Sequence, residues 1–154
     1  MALTDNSKLG LANRFKAVVV PGDYDLGSWF KVDGLDVSWD VADFRVGDLG
    51  NHRWFFPANS KYTNVKLQRG ANADDSKRVK KWLTSTSFEH KYGIIVTVTL
   101  MDSGGAEVMH WDLKNAMPAK WAVTSFDAGG SAVAVETLEL VHEGFLEDER
   151  DLKA

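Results

Sequence analysis

Cysteine is absent from all 154 residues. Disulfides, thiolate metal sites and cysteine nucleophiles are therefore excluded. Lys and Arg number 18 against 22 Asp and Glu, a net charge of −4. A dedicated nucleic-acid binder normally carries a basic surplus, so that class is disfavoured. The longest apolar run, Gly93 to Met101, holds two threonines. It falls far short of the ~20 residues a membrane span needs. Residues 1–13 show no basic stretch followed by an apolar core, so no secretory signal is expected. The four histidines never stand two or four residues apart, and HExxH, GxSxG, GxxxxGK[ST] and GxGxxG are all missing. No metal, cofactor or catalytic residue is expected.

What is present is an ordinary folding composition, 44% apolar and 26% charged, with 6 tryptophans. One domain with its own core is expected. Its signals are mostly those of strands. Phe15 to Val20 is β-branched and apolar, and Ser28 to Asp33 follows before a break at Gly34. Leu35 to Asp43 alternates most clearly. Leu35, Val37, Trp39 and Val41 fall on one side, and Asp36, Ser38, Asp40 and Ala42 on the other. This reads as a half-buried strand with a wet, acidic face.

From Phe44 to Tyr62 the alternation is lost, which reads as a long loop. It holds three consecutive aromatics, Trp54, Phe55 and Phe56. Either they fold back on their own core or a neighbouring subunit covers them. Asn64 to Gln68 is a short strand. A helix is expected over about 74–84, capped by Asn72 or Asp74, with Val79, Trp82 and Leu83 as its apolar stripe. Further strands are expected at Gly93 to Met101, Glu107 to Leu113, Ala119 to Phe126 and Val133 to His142. Tight turns are expected at Asp102 to Gly105 and Asp127 to Ser131. The fold class is mainly β (α+β): a small antiparallel barrel or sandwich of about eight strands with one flanking helix.

Two constellations invite a chemical reading, and neither sustains it. Asp36 and Asp40 share a strand face, but i and i+4 on a strand lie about 13 Å apart, too far for a glycosidase carboxylate pair. Lys77, Arg78, Lys80 and Lys81 read as a solvated helix face, without the aromatic platform of a nucleic-acid site.

Four segments carry a resemblance. They are Trp29-Phe30-Lys31-Val32-Asp33-Gly34-Leu35; Val65-Lys66-Leu67-Gln68-Arg69-Gly70 leading to Trp82; Trp111-Asp112-Leu113-Lys114-Asn115-Ala116-Met117-Pro118-Ala119-Lys120; and Val135-Glu136-Thr137-Leu138-Glu139-Leu140-Val141-His142-Glu143-Gly144. In this order the chain resembles the tail tube proteins of contractile-tail phages and the inner tube proteins of phage-derived contractile injection systems, relatives of the Hcp tube of type VI secretion. The resemblance covers about residues 13 to 145. Met117 stands where the family usually has an aromatic, and Ala58 follows Pro57 where it often has glycine.

The resemblance implies a structural protein without catalysis. Hexameric rings stack into a hollow, rigid tube that sheath contraction drives through a target envelope. Implied partners are copies of the chain itself, the contractile sheath protein, baseplate and tail-terminator proteins, and cargo in the channel. Specific nucleic-acid binding and membrane anchoring are not expected. Assembly is expected in the bacterial cytoplasm. Three parts are expected: a polar arm over 1–13, the tube domain over 14–145 and a charged tail over 146–154. Asp36, Ser38 and Asp40 are expected to face the lumen. Trp54, Phe55 and Phe56, with Glu136 and Glu139 on the last strand, are expected at subunit or ring interfaces. The alternatives are a tube-initiating baseplate adaptor of the same fold and a monomeric small-ligand-binding β-barrel.

Overall fold

The computed structural model describes residues 14–20, 22–45, 47, 50–89, 91–124 and 134–147. The arm expected over 1–13, the turn at 127–131 and the tail from 148 onward lie outside the described residues. The described elements are β1 (Phe15–Val20), β2 (Tyr24–Trp29), β3 (Lys31–Asp33), β4 (Val37–Arg45), β5 (Arg53–Tyr62), β6 (Val65–Gly70), α1 (Ala73–Phe88), β7 (Ile95–Met101), β8 (Glu107–Leu113), β9 (Met117–Val123) and β10 (Val135–Val141).

Two four-stranded antiparallel sheets form the body, in the orders β2-β1-β7-β8 and β3-β6-β10-β9. β1, β6 and β10 bury every second residue, as the two-residue period of a strand dictates. Phe15, Ala17 and Val19 of β1 and Val96 and Val98 of β7 meet Val65 and Leu67 of β6 and Leu138 and Leu140 of β10 in one core. Leu26, Trp29 and Leu113 complete it. The result is a sandwich: the described strands form separate sheets with free edges, and no barrel closes.

Helix α1 forms where its stripe is expected and runs about one turn further, to Phe88. The Asp74 N–H donates to Asn72 Oδ1 (3.1 Å), the N-cap bond that satisfies one of the helix's open donors. Asp74 and Asp75 sit in the first turn, at the positive end of the helix dipole. Val79 and Trp82 are buried, with Leu83 packed beside them.

The expected strand over Ser28 to Asp33 is instead a corner between the sheets. β2 ends at the buried Trp29, and the Phe30 N–H already donates to Gln68 O (3.1 Å) in the other sheet. A bulge precedes the corner, because Ala17 pairs with Gly27 and Val18 with Asp25, leaving Leu26 extra. Gly27 has φ +81°, and a Cβ there would lie 2.6 Å from the Asp75 carboxyl carbon. Only glycine lets α1 press this closely on β2.

Candidate functional site: an exposed two-stranded arm

The largest departure from the sequence reading lies between residues 44 and 62. Among the described residues no long loop occupies this stretch. Arg53–Tyr62 is a strand that pairs with β4 along its whole length, from Val37↔Tyr62 to Arg45↔Arg53. A bulge interrupts the ladder. Trp39 pairs with Ser60 and Val41 with Pro57, so Ala58 and Asn59 together oppose Asp40. Pro57 is tolerated because a bulge frees it from the regular ladder.

β4 and β5 form a two-stranded sheet of their own, and their extensive contacts are only with each other. The arm leaves the body at Gly34 and returns at Asn64. Gly34 has φ +90°, and an added Cβ would fall 2.1 Å from Asn64 O. The two crossings therefore touch backbone to backbone. At the root, Thr63 Oγ1 donates to Asp36 Oδ1 (2.8 Å). The Tyr62 ring stands edge-on to His142 and Phe145, with centroids 5.5 and 5.1 Å away. His142 Nε2 lies 3.0 Å from Thr63 O. Burial pushes the His142 pKa down, against the opposing pull of the Thr63 and Gly144 backbone partners.

Neither face of the arm is covered. Register places Trp39, Val41, Phe55 and Pro57 on one face, where Trp39, Val41 and Phe55 are 52, 61 and 63% exposed. The other face carries Ser38 and Asp40 near the root, then Phe44, Trp54 and Phe56 further out, these three 58, 47 and 50% exposed. Phe44 and Phe56 meet edge to face at 5.7 Å. The alternation over Leu35 to Val41 is real, yet the expected half-burial of this strand does not occur within the chain. Patches of this size on a soluble chain mark binding surfaces. A two-stranded hairpin alone in water is marginal, so cover from outside is the economical solution.

The residues singled out from sequence divide as follows. Asp36, Ser38 and Asp40 are all exposed. Asp40 is paired with Lys61 (2.9 Å), which offsets the acidity expected of this face. Trp54, Phe55 and Phe56 are strand residues and do not fold back on the core. Glu139 is half-buried on the outward face of β10 and accepts from Asn64 Nδ2 (3.0 Å).

Glu136 has a different place from the interface expected for it. It is fully buried, and its carboxylate accepts from Arg69 Nε, Ser76 Oγ and Trp121 Nε1, each at 2.8 Å. These partners all belong to its own chain, which leaves little for a neighbour's cation. Burial pushes the Glu136 pKa up, but the three hydrogen bonds and the Arg69 charge outweigh it and hold the group below its ordinary value. Arg69, which the sequence reading passed over, is the centre of this knot. It stacks on the Trp29 ring at 3.9 Å and donates to Leu26 O. Its legible signal was register: Arg69 and Glu136 both fall on the inward period of their strands and pair directly.

Among the described residues no convergent catalytic geometry is found. Among the described residues no group of three His, Asp or Glu could hold a metal ion. None of the described helices is long and apolar enough to cross a membrane. The geometry is that of a surface for binding.

Comparison with known proteins agrees. Curated protein sequences yield no match. Among solved structures, a chain of the sheath/tube terminator of the PVC extracellular contractile injection system matches at TM-score 0.71 and 25% identity, covering 93% of this chain and 98% of that one. A chain of the PVC sheath–tube complex matches at 0.69 and 23%, covering 93% and 92%. A chain of the anti-feeding prophage baseplate matches at 0.69 and 20%, covering 91% and 95%. Hcp1 from Flavobacterium johnsoniae reaches only 0.46 and 16%, covering 84% and 89%, too weak a likeness to carry the fold. The family model of the T4-like virus tail tube protein gp19 matches residues 12–146. The chain thus belongs to that tail tube family, as a structural tube subunit and not an enzyme.

Proposed function

We propose that copies of this chain close into hexameric rings and that the rings stack into a hollow tube, with the β4–β5 arm completing each junction. The observation that carries this reading is the arm itself. It exposes six large apolar side chains on two faces and meets its own body only at its root. A neighbour in the stack supplies the missing cover. Trp54, Phe55 and Phe56 anchor that contact, and Glu139 lies on the wall nearby. Asp36, Ser38 and Asp40 face the channel. With Lys61 beside Asp40, this lining is polar and close to neutral, so cargo slides past it without being held.

The assembled tube sits inside a contractile sheath, between a baseplate and a terminator, and is propelled through a target envelope. The matches to PVC sheath–tube and terminator chains and to the anti-feeding prophage baseplate support these partners. A tube-initiating adaptor of the same fold is the second reading, favoured by the baseplate match. Counting copies in purified particles separates the two. A tube protein is among the most abundant bands, and an adaptor contributes a single ring. A lone ligand-binding barrel is not supported, because the sheets do not close around a cavity.

The test of the main reading is the double variant Trp54→Ala, Phe55→Ala. The variant is expected to fold as the wild type does by circular dichroism while tube yield collapses. Normal tubes from this variant contradict the arm's role.

A further inference from the structure

The joint between arm and body is small, and a histidine sits at its centre. The segment after β10 forms a socket for Tyr62, the last residue of β5. His142 and Phe145 wall the socket, with ring centroids 5.5 and 5.1 Å from that of Tyr62. Gly144 is its floor, where φ is +141° and a Cβ would lie 2.9 Å from the Tyr62 ring. Thr63, next along, donates its hydroxyl to Asp36 Oδ1 and sets its carbonyl 3.0 Å from His142 Nε2. A carbonyl only accepts, so the proton of the neutral imidazole is on Nε2. The lone pair is then on Nδ1, which is buried without a hydrogen-bond partner. The Gly144 backbone is near but out of that atom's reach, and its carbonyl already accepts from the Lys114 N–H (2.9 Å).

The charged groups around the ring are engaged elsewhere. Asp36 holds Thr63, and Glu139 on β10 accepts from Asn64. Glu143 accepts from Asn115 Nδ2 (3.0 Å) and Tyr92 Oη (3.4 Å). Beyond Phe145 a cavity is lined by His110, Asp112, Lys114 and Glu147. Among the described residues no carboxylate pairs with the His142 ring, whereas His110 stands between Glu107 and Asp112.

We propose that His142 is a proton-operated latch on the arm. Neutral, it keeps Thr63 and Tyr62 in the socket and fixes the direction in which the arm leaves the body. A proton taken from solvent onto Nδ1 puts a cation where there is neither acceptor nor counter-ion. The socket then opens to let water reach the charge, and the arm swings free. The sign follows from burial, which holds the His142 pKa below its ordinary value. The latch is closed above about pH 6.5 and opens as pH falls below that.

The lever amplifies the change. β4 runs nine residues, which is about 30 Å, so a tilt of about 10° at the root moves the tip by about 5 Å. The aromatics of the arm then face one direction at neutral pH and many directions in acid. On the tube reading, a freed arm must be ordered again at each junction, so growth is favoured at neutral pH.

The absence of cysteine makes a clean test possible. Asn51→Cys near the arm tip and Lys81→Cys on α1, both at exposed positions, carry a donor and an acceptor dye. Energy transfer is read from single chains at pH 7.5 and pH 5.0, with circular dichroism confirming that the body stays folded. The expected result is one narrow peak at the higher pH and a broad, displaced one at the lower. His142→Phe keeps a ring in the socket but cannot be protonated, so its distribution is expected not to change with pH. His52→Gln and His110→Gln are expected to keep the wild-type response. A wild-type distribution that is the same at both pH values, or a response that survives His142→Phe, overturns the latch. Rod growth is the second readout. The concentration at which rods appear is expected to rise about tenfold in the wild type over this range and to stay level in His142→Phe. An equal rise in both contradicts control of growth by His142. Because the fluorescence reads lone chains, failure of the latch and failure of the tube reading are separate results.

Discussion

The body and the arm are built from the same kind of strand, and they differ in what covers them. In the body the central strands hide one face, so that Ala17, Val65, Leu67, Val96 and Leu138 are fully enclosed. In the arm Trp39, Phe55 and Phe56 are no less apolar, yet half or more of each meets solvent. The body encloses one charge pair completely, Arg69 with Glu136. The arm keeps its ion pairs at the surface, Asp40 with Lys61 and Asp43 with Arg53. A chain that can bury a charge pair so completely has no difficulty burying three aromatics. On the proposed reading, leaving them out belongs to the assembled state, in which the arm would acquire its missing faces.

The contrast can be broken from either side. The largest effect belongs to the body. Glu136→Ala strands the Arg69 cation in the core and is expected to cost about 3–5 kcal/mol, read as a fall in the urea midpoint of the monomer. An unchanged midpoint contradicts the keystone role of the pair. Next comes the arm. Loss of Trp54 and Phe55 together is expected to raise the concentration needed for tube growth by about thirtyfold, the ~2 kcal/mol typical of one interface hot spot. Monomer stability stays within about 0.5 kcal/mol of wild type.

Acid comes third, and its sign follows from the two depressed pKa values. Both Glu136 and His142 hold protons less readily in the folded chain than unfolded. Their contribution is complete above the unfolded pKa and is lost as pH falls toward the folded one. His142, at the arm root, begins to lose its share below about pH 6.5, and Glu136 below about pH 4.3. Titration by denaturant melts is expected to show two acid steps. His142→Phe should remove the upper step only. An acid limb unchanged by that substitution contradicts the assignment.

The smallest effect is expected at the face proposed to line the channel. Asp36→Lys with Asp40→Lys is expected to leave folding within about 0.5 kcal/mol and tubes intact, while changing what the channel admits, measured as cargo recovered per particle. Loss of tubes with normal cargo would place this face in an interface.

How far the sequence anticipates this depends on whether its periodicity coincides with burial. β1 and α1 follow their apolar spacing closely, because each has one buried side. Leu35 to Val41 alternates and is indeed largely strand, but alternation cannot say whether another molecule does the burying. β5 escaped detection for the same reason. Trp54, Phe55 and Phe56 are apolar on both faces, and the bulge at Ala58 and Asn59 shifts the phase just beyond them. Glu136 read as an interruption because its partner Arg69 is 67 residues away. Distant pairings of this sort are set by strand register, which no local window contains. The candidate surface was thus half legible: the aromatics were conspicuous, and the arm that presents them was not.

The central claim is that the arm and the open sheet edges are completed by further copies of the same chain. Electron microscopy of the pure protein over a rising concentration series tests it most directly. The account predicts annuli that lengthen into hollow rods of uniform width. Solitary molecules alone, at every concentration and salt, would contradict it.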